Sequence, residues 1–216
     1  MPQHYPVYLD LRDRPCFVVG GCAMAEEKAR GLLNAGARVT VLSLEVTAGL
    51  AELAGEGRLA HRPRPFKPGD LSNAVLAIVV NQDRETVAAV WEETRGRNVL
   101  VNTLDDVPYC DFIAPAIVRR GDLAVAISTG GKAPVLAVRL RQRLEKELGE
   151  EHARFLDLAG AVRAPLARRW PDFATRRDLW YRLVDSDVLD LLRSGDEPRA
   201  LDRFEEILGV RPVGTE

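Results

Sequence analysis

The chain has 216 residues, 46% hydrophobic and 29% charged, with 30 Lys and Arg against 32 Asp and Glu. That length buries a substantial core and leaves room for one domain plus a smaller one, while a formal net charge of −2 provides no global basic field of the kind that draws nucleic acid. No apolar run approaches a bilayer span, and Met1-Pro2-Gln3-His4-Tyr5-Pro6 has no basic region leading into an apolar core. The expectation is a cytoplasmic protein with neither membrane nor nucleic-acid partners. Cys16, Cys22 and Cys110 form no C-x-x-C pair, and His4, His61 and His152 lie far apart. Neither a disulfide framework nor a metal site is expected.

The first element predicted is a strand, Cys16-Phe17-Val18-Val19, running into Gly20-Gly21-Cys22-Ala23-Met24-Ala25. A helix leaves that turn with Ala25, Ala29, Leu32 and Leu33 on one face and ends at Gly36. Strand, glycine turn and helix together open a dinucleotide-binding βαβ unit. In the G-x-G-x-x-A register Gly20 makes the tight turn, Ala25 packs helix on strand, and Cys22 stands where backbone should approach the pyrophosphate. The second strand, Arg38 to Leu42, runs into Ser43 instead of an acidic residue, with Glu45 two residues later. Ser43 offers a ribose one hydrogen bond. No arginine follows the strand immediately, which weighs against a 2′-phosphate and toward NAD.

A helical stretch around Val46, Leu50 and Leu53 stops at Gly55 and Gly57, and a loop with Pro63, Pro65 and Pro68 breaks any helix beyond it. Ala74 to Val80 is a continuous apolar run, typical of a strand covered on both faces. A helix through Val87, Val90 and Trp91 leads to the strand Asn98 to Val101. This alternation implies a parallel sheet with helices on both sides and a crevice at the strand C-terminal ends. Asn102-Thr103-Leu104-Asp105-Asp106-Val107-Pro108 opens on that crevice, where Asp105 or Asp106, if partly buried, can serve as a general base. An Asx-turn followed by a proline bend is the alternative reading.

After Asp111 the pattern changes. Ile113 to Val118 and Leu123 to Ile127 read as strands joined through Arg119-Arg120-Gly121-Asp122. Ser128-Thr129-Gly130-Gly131-Lys132-Ala133-Pro134 follows, with glycines for backbone freedom, hydroxyls to cap a helix and a helix N-terminus that favours an anion, but not the spacing of a P-loop. The next helix carries Leu136, Leu140, Leu144 and Leu148 at four-residue spacing. Two strands and one helix cannot cover their own apolar faces, so a homodimer is expected. From Ala114 to Arg143 the charges are Arg119, Arg120, Lys132, Arg139, Arg141 and Arg143 against Asp122. That bias suits a solvated face or a polycarboxylated ligand.

From Glu150 onward everything reads helical, around Phe155, Leu158, Val162, Phe173, Leu179, Trp180, Leu183, Leu201, Phe204 and Leu208. The fold class is α/β. A Rossmann-like parallel-sheet domain over residues 1–112 is followed by a small α+β dimerisation segment over 113–148 and a helical C-terminal domain over 149–216.

Three separated segments resemble one family: Val18-Val19-Gly20-Gly21, then Asn102 to Pro108 with Phe112-Ile113-Ala114-Pro115-Ala116-Ile117, then Ala126 to Pro134. In order and spacing they are similar to the precorrin-2 dehydrogenase / sirohydrochlorin ferrochelatase family, the N-terminal module of siroheme synthase. Leu9-Asp10-Leu11-Arg12 and the stretch from Arg176-Arg177 to Trp180 extend the likeness over nearly the whole chain. The resemblance implies NAD-dependent oxidation of precorrin-2 to sirohydrochlorin in siroheme biosynthesis, in some members coupled to iron insertion. It implies that Asp105 is the catalytic aspartate. It sets Gly20, Gly21, Cys22, Ala23, Ser43, Asn81, Thr103 and Leu104 on the cofactor side, and Ser128, Thr129, Gly130, Gly131 and Lys132 against the tetrapyrrole. It also implies an intertwined dimer through the middle segment, with the C-terminal helices closing over the site. The carboxylates of precorrin-2 match the basic bias. Two departures stand on the nucleotide side: Gly20-Gly21-Cys22 where the family usually has three glycines, and Val80-Asn81-Gln82-Asp83 where it has an Ala-Thr-Asp type turn. Sirohydrochlorin ferrochelatase activity, alone or as a second activity, and a non-redox tetrapyrrole-binding protein are the alternatives.

Overall fold

The computed structural model describes residues 4–80 and 83–212, and the chain divides into two compact units, Met1–Ala114 and Pro115–Glu216. The first unit is a parallel five-stranded sheet in the order β3-β2-β1-β4-β5, built from β1 Pro15–Val19, β2 Arg38–Leu42, β3 Ala60–Arg62, β4 Leu76–Val79 and β5 Leu100–Thr103. The connecting helices are α1 Ala23–Asn34, α2 Ala48–Gly55 and α3 Arg84–Arg95. The chain steps outward from β1 to β3, then returns to the other side of β1 for β4 and β5, so the strand order reverses between β1 and β4. At such a reversal the loops diverge and leave a crevice.

Burial on both faces explains the uninterrupted apolar runs. Along β1, Cys16 and Val18 join a cluster with Ala25, Ala29, Leu32 and Leu50, while Phe17 and Val19 join another with Val79, Val87 and Val90. Cys16 is fully buried, and burial pushes its thiol up to about 11, so it acts as an inert filler.

The strand β3 lies outside the sequence pattern, because Ala60-His61-Arg62 has no apolar run. It forms as an edge strand in register with Thr40 to Leu42, and Pro63, which has no N–H, follows it directly. β5 begins at Leu100, after Asn98 takes a left-handed φ of 55°. α2 begins at Ala48 because Thr47 caps it, its hydroxyl accepting from the Leu50 N–H at 3.2 Å, so Val46 precedes the helix.

The second unit opens with an antiparallel hairpin, β6 Ala116–Arg120 and β7 Leu123–Ile127. β6 starts after Pro115, and Arg119 and Arg120 pair with Ala124 and Leu123, so the connection is Gly121-Asp122 alone and not the four residues expected. Gly121 supplies the positive φ of 52° that the turn requires. Next come α4 Pro134–Glu147, α5 Glu150–Arg169, α6 Phe173–Val184, α7 Val188–Arg193 and α8 Glu197–Leu208. Leu158, Val162, Leu166, Leu183, Phe204 and Leu208 fill the core of the last four helices. Phe173 is helical as expected, as the first residue of α6, and is 70% exposed. α7 is too short to show a period of its own, yet Val188 and Leu191 are buried. α4 buries only Ala137, leaving Leu136 53% and Leu140 40% exposed.

Candidate functional site

The glycine turn follows β1. Gly20 holds a φ of 128°, and its N–H donates to the Leu42 carbonyl at 2.9 Å. Gly21 has no space for a side chain, since a Cβ there would stand 1.9 Å from the Glu45 carbonyl oxygen and 2.7 Å from Ser43 Oγ. The Gly21 carbonyl in turn accepts from the Thr47 N–H at 3.0 Å. Gly21 therefore docks the first βα turn against the loop after β2. Cys22 is exposed and extended (φ −77°, ψ 177°), a conformation any residue adopts. Its side chain caps none of the first-turn amides of α1, which begins at the exposed Ala23. An uncapped helix N-terminus presents N–H donors and a partial positive charge. Ala25 is fully buried, as close helix-strand packing requires. Glu26, in that first turn, is drawn away to Thr47 Oγ at 2.5 Å and Arg30 at 2.7 Å. The Thr47 bond, then Arg30, holds its carboxyl below the usual range.

Ser43 donates its hydroxyl hydrogen to the Glu45 carbonyl at 2.7 Å, which leaves it only an acceptor role toward a ligand. Beside it lies a cavity of about 180 Å³ lined by Val19, Gly20, Leu42, Ser43, Leu44, Pro65 and Phe66. Pro65 and Phe66, which the sequence reading did not count among candidate site residues, line this cavity; the Pro-Phe pair in a loop just beyond the second βα unit is the signal that could have found them. Asp70 anchors their loop. Its side chain, 7% exposed, accepts from Arg64 at 2.6 and 2.7 Å, from Arg62 at 3.2 Å and from the Lys67 N–H at 2.8 Å. The Arg64 hydrogen bonds are the main cause holding this carboxyl below its usual range. Although no arginine follows β2 in sequence, β3 lays Arg62 beside Leu42.

At the end of β5, Thr103 is buried and Leu104 donates to the Val79 carbonyl at 2.9 Å, while the Val80 N–H bonds Val19 at 2.8 Å. Gly20, Thr103 and Leu104 thus stand at the C-terminal ends of β1 and β5, on either side of β4. Asn81 lies outside the described residues. The Asp106 N–H closes a turn onto the Thr103 carbonyl at 3.3 Å, with Asp105 in the left-handed region at φ 59°. Asp105 is exposed, not partly buried, and makes no hydrogen bond or ion pair among the described residues; Asp106 is half-buried. Cys110 and Asp111 cover the open edge of β5. Cys110 Sγ accepts from the Thr103 N–H at 3.2 Å and lies 3.1 Å from the Thr103 carbonyl and 3.4 Å from that of Asp106. The Asp111 N–H donates to Val101, and its carboxylate accepts from the Val101 N–H at 3.0 Å and from Arg95, which stacks over Trp91.

The remaining predicted residues lie in the second unit. Ser128 Oγ accepts from the Gly130 N–H at 3.1 Å, and Thr129 Oγ accepts from the Ala133 N–H at 3.3 Å. Gly130 and Gly131 take successive positive φ values of 61° and 76°, and α4 starts three residues later at Pro134. Lys132 is exposed; its backbone N–H donates to the Thr129 carbonyl at 3.2 Å, and its ammonium has no partner among the described residues. The basic bias is smaller than the sequence suggests. Arg141 pairs with Glu145 and Arg143 with Glu147, each one helical turn on, and Arg120 reaches Glu150 at 3.6 Å. Arg119, Lys132 and Arg139 are left without a carboxylate partner among the described residues. Among those residues no group of three His, Cys, Asp or Glu side chains could hold a metal ion, and no helix is long and apolar enough to cross a membrane.

Three family models match in succession: "Putative NAD(P)-binding" over residues 7–116, "Sirohaem biosynthesis protein central" over 120–147 and "Sirohaem synthase dimerisation region" over 151–208. A siroheme synthase of Methylobacillus flagellatus is 39% identical over 206 residues, covering 95% of this chain and 44% of that protein. One of Chromobacterium violaceum is 36% identical over 204 residues, covering 94% and 43%. The chain thus spans less than half the length of these curated relatives. Among solved structures, SirC, precorrin-2 dehydrogenase, superposes with a TM-score of 0.77 at 25% identity, covering 96% of this chain and 100% of that one.

Proposed function

Since this chain belongs to the precorrin-2 dehydrogenase family, the N-terminal module of siroheme synthase, we propose that it is itself a precorrin-2 dehydrogenase, oxidising precorrin-2 to sirohydrochlorin with NAD. The observation that carries this reading is the juxtaposition, on one end of one sheet, of a glycine turn with an open helix N-terminus and an exposed carboxylate turn. The residues fit a dinucleotide: Gly20 makes the tight turn at a φ of 128°, Gly21 admits no Cβ against the loop after β2, the α1 amides have no side-chain cap, and the cavity beside Ser43 and Phe66 has room for a flat ring. When bound, the nicotinamide ring supplies the hydride acceptor. The chain's own part is to hold the diphosphate at Gly20 to Ala23 and to take up, on the Asp105 carboxylate, a proton that precorrin-2 loses. The Arg62 and Arg64 guanidiniums are already held by Asp70, so a 2′-phosphate finds no ready cation there, which favours NAD over NADP.

The Ser128 to Lys132 turn is assigned to substrate carboxylates, with Lys132 as the cation. The exposed leucines of α4 are assigned to a homodimer interface, the middle segment over 113–148 serving as its dimerisation part between the domains over 1–112 and 149–216. Three unpaired cysteines suit the cytoplasm. Steady-state oxidation of precorrin-2 with NAD tests the assignment. Turnover in the wild type and a loss of kcat of about 10²-fold or more in Asp105→Asn are expected, whereas full turnover in that variant removes Asp105 from the role of base. Sirohydrochlorin binding with no measurable NAD binding would instead make this a tetrapyrrole-binding protein, and iron insertion into sirohydrochlorin without NAD would reveal a chelatase.

A further inference from the structure

β5 is an edge strand, so every second peptide of it, at Val101 and Thr103, turns its N–H and C=O away from the sheet. At Val101 those groups find the Asp111 carboxylate and backbone N–H. At Thr103 they find sulfur: the N–H donates to Cys110 Sγ at 3.2 Å, and Sγ lies 3.1 Å from the carbonyl. Thr103 is buried in the intact chain, so the thiol is what satisfies its outward N–H, and without it that N–H loses its protein acceptor. One residue beyond Leu104, Asp105 sits at φ 59°, a conformation that costs a non-glycine residue about 1 kcal/mol or more and needs its surroundings to hold it. Asp105 makes no hydrogen bond or ion pair of its own among the described residues. The turn is closed by the 3.3 Å bond from Asp106 to Thr103 and by Sγ, which touches both ends of it, at the Thr103 and Asp106 carbonyls.

We propose that Cys110 is a positioning residue for the reaction: its thiol pins the turn at both ends and so fixes where the Asp105 carboxylate is presented. The proposal rests on the reading of Asp105 as base. Burial, with the nearby charges of Asp106 and Asp111, pushes the Cys110 thiol up, so it keeps the hydrogen it needs as a donor. Sulfur suits the place because contacts of 3.1 to 3.4 Å with a soft, long-bonded atom span a gap that a hydroxyl would bridge poorly.

The test compares wild type, Cys110→Ala, Cys110→Ser, Asp105→Asn and the Asp105→Asn/Cys110→Ala double variant of the full chain, oxidising precorrin-2 with NAD. Cys110→Ala is expected to lower kcat about tenfold, with KM for precorrin-2 and Kd for NAD within about twofold of wild type, and Cys110→Ser is expected to fall between. The double variant should be no slower than Asp105→Asn, because a residue that acts through Asp105 has nothing left to act on. An unchanged kcat in folded Cys110→Ala, or the same fold loss with and without the Asp105 carboxylate, overturns the positioning role. Full turnover in Asp105→Asn overturns the base assignment instead. If Cys110→Ala does not fold, Cys110→Ser carries the comparison: faster exchange of the Thr103 amide together with lowered kcat supports the role, and faster exchange with unchanged kcat refutes it.

Discussion

At the scale of single residues, the nucleotide turn depends on a glycine that the motif register does not emphasise. The register stresses Gly20 and the residue at position 22, yet Gly21 is the one with backbone at 1.9 Å from where its Cβ would be. Gly21→Ala is expected to cost about 3 kcal/mol or more and to abolish NAD binding, read by the fall in Tm and by titration. Cys22 is a milder matter, since its backbone is extended and its side chain exposed. Cys22→Gly is still expected to tighten NAD binding a few-fold by clearing the approach to the α1 amides; unchanged or weaker affinity by calorimetry would reject that. The tight turn at Gly20 and the buried Ala25 were legible because both are local. The contact of Gly21 with Glu45 was not, because it depends on where a second loop, 24 residues further on, comes to rest.

Among the elements, the two-sided strands and amphipathic helices declare themselves through periodicity, whereas β3 does not. Three residues with no apolar alternation carry no period, and what fixes them is pairing with β2 and the ion cluster beyond. The Asp70 carboxyl is the centre of that cluster, and its lowered native pKa sets the sign of a pH effect. Its contribution is fully present above the unfolded value of about 3.9 and is lost as pH falls below it through the native value. Asp70→Asn should therefore be less stable than wild type by about 1–3 kcal/mol at neutral pH, and the gap should narrow as pH falls below the unfolded value of about 3.9, in urea titrations at each pH. Half-exposed arginines keep the figure at the modest end of what a buried pair yields. Cys110 escaped notice for a similar reason: as a sequence it is a lone thiol, and only the edge of β5 gives it partners.

For the whole molecule, the change of pattern after Asp111 did read through to a new kind of structure, a hairpin and helix with too little core of their own. The leucines of α4 made a helix legible, and the shortness of the segment implied that its apolar faces would go uncovered; Leu136 and Leu140 are exposed beside Val135 at 72%. Leu136→Glu combined with Leu140→Glu is expected to convert a dimer to monomers in sedimentation velocity while circular dichroism stays helical. A wild type that sediments as a monomer would refute the assigned interface.

The edges of the five-stranded sheet bear on how copies of this chain meet. One edge ends in a strand of three residues with prolines at 63 and 65 close behind, and the other is finished by the thiol of Cys110 and the carboxylate of Asp111. Neither offers the long row of unsatisfied amides that recruits a foreign strand. Stripping the thiol from the second edge would free the N–H and carbonyl of the Thr103 peptide alone, since Asp111 still covers Val101, so each copy keeps its sheet to itself and copies must meet through other surfaces.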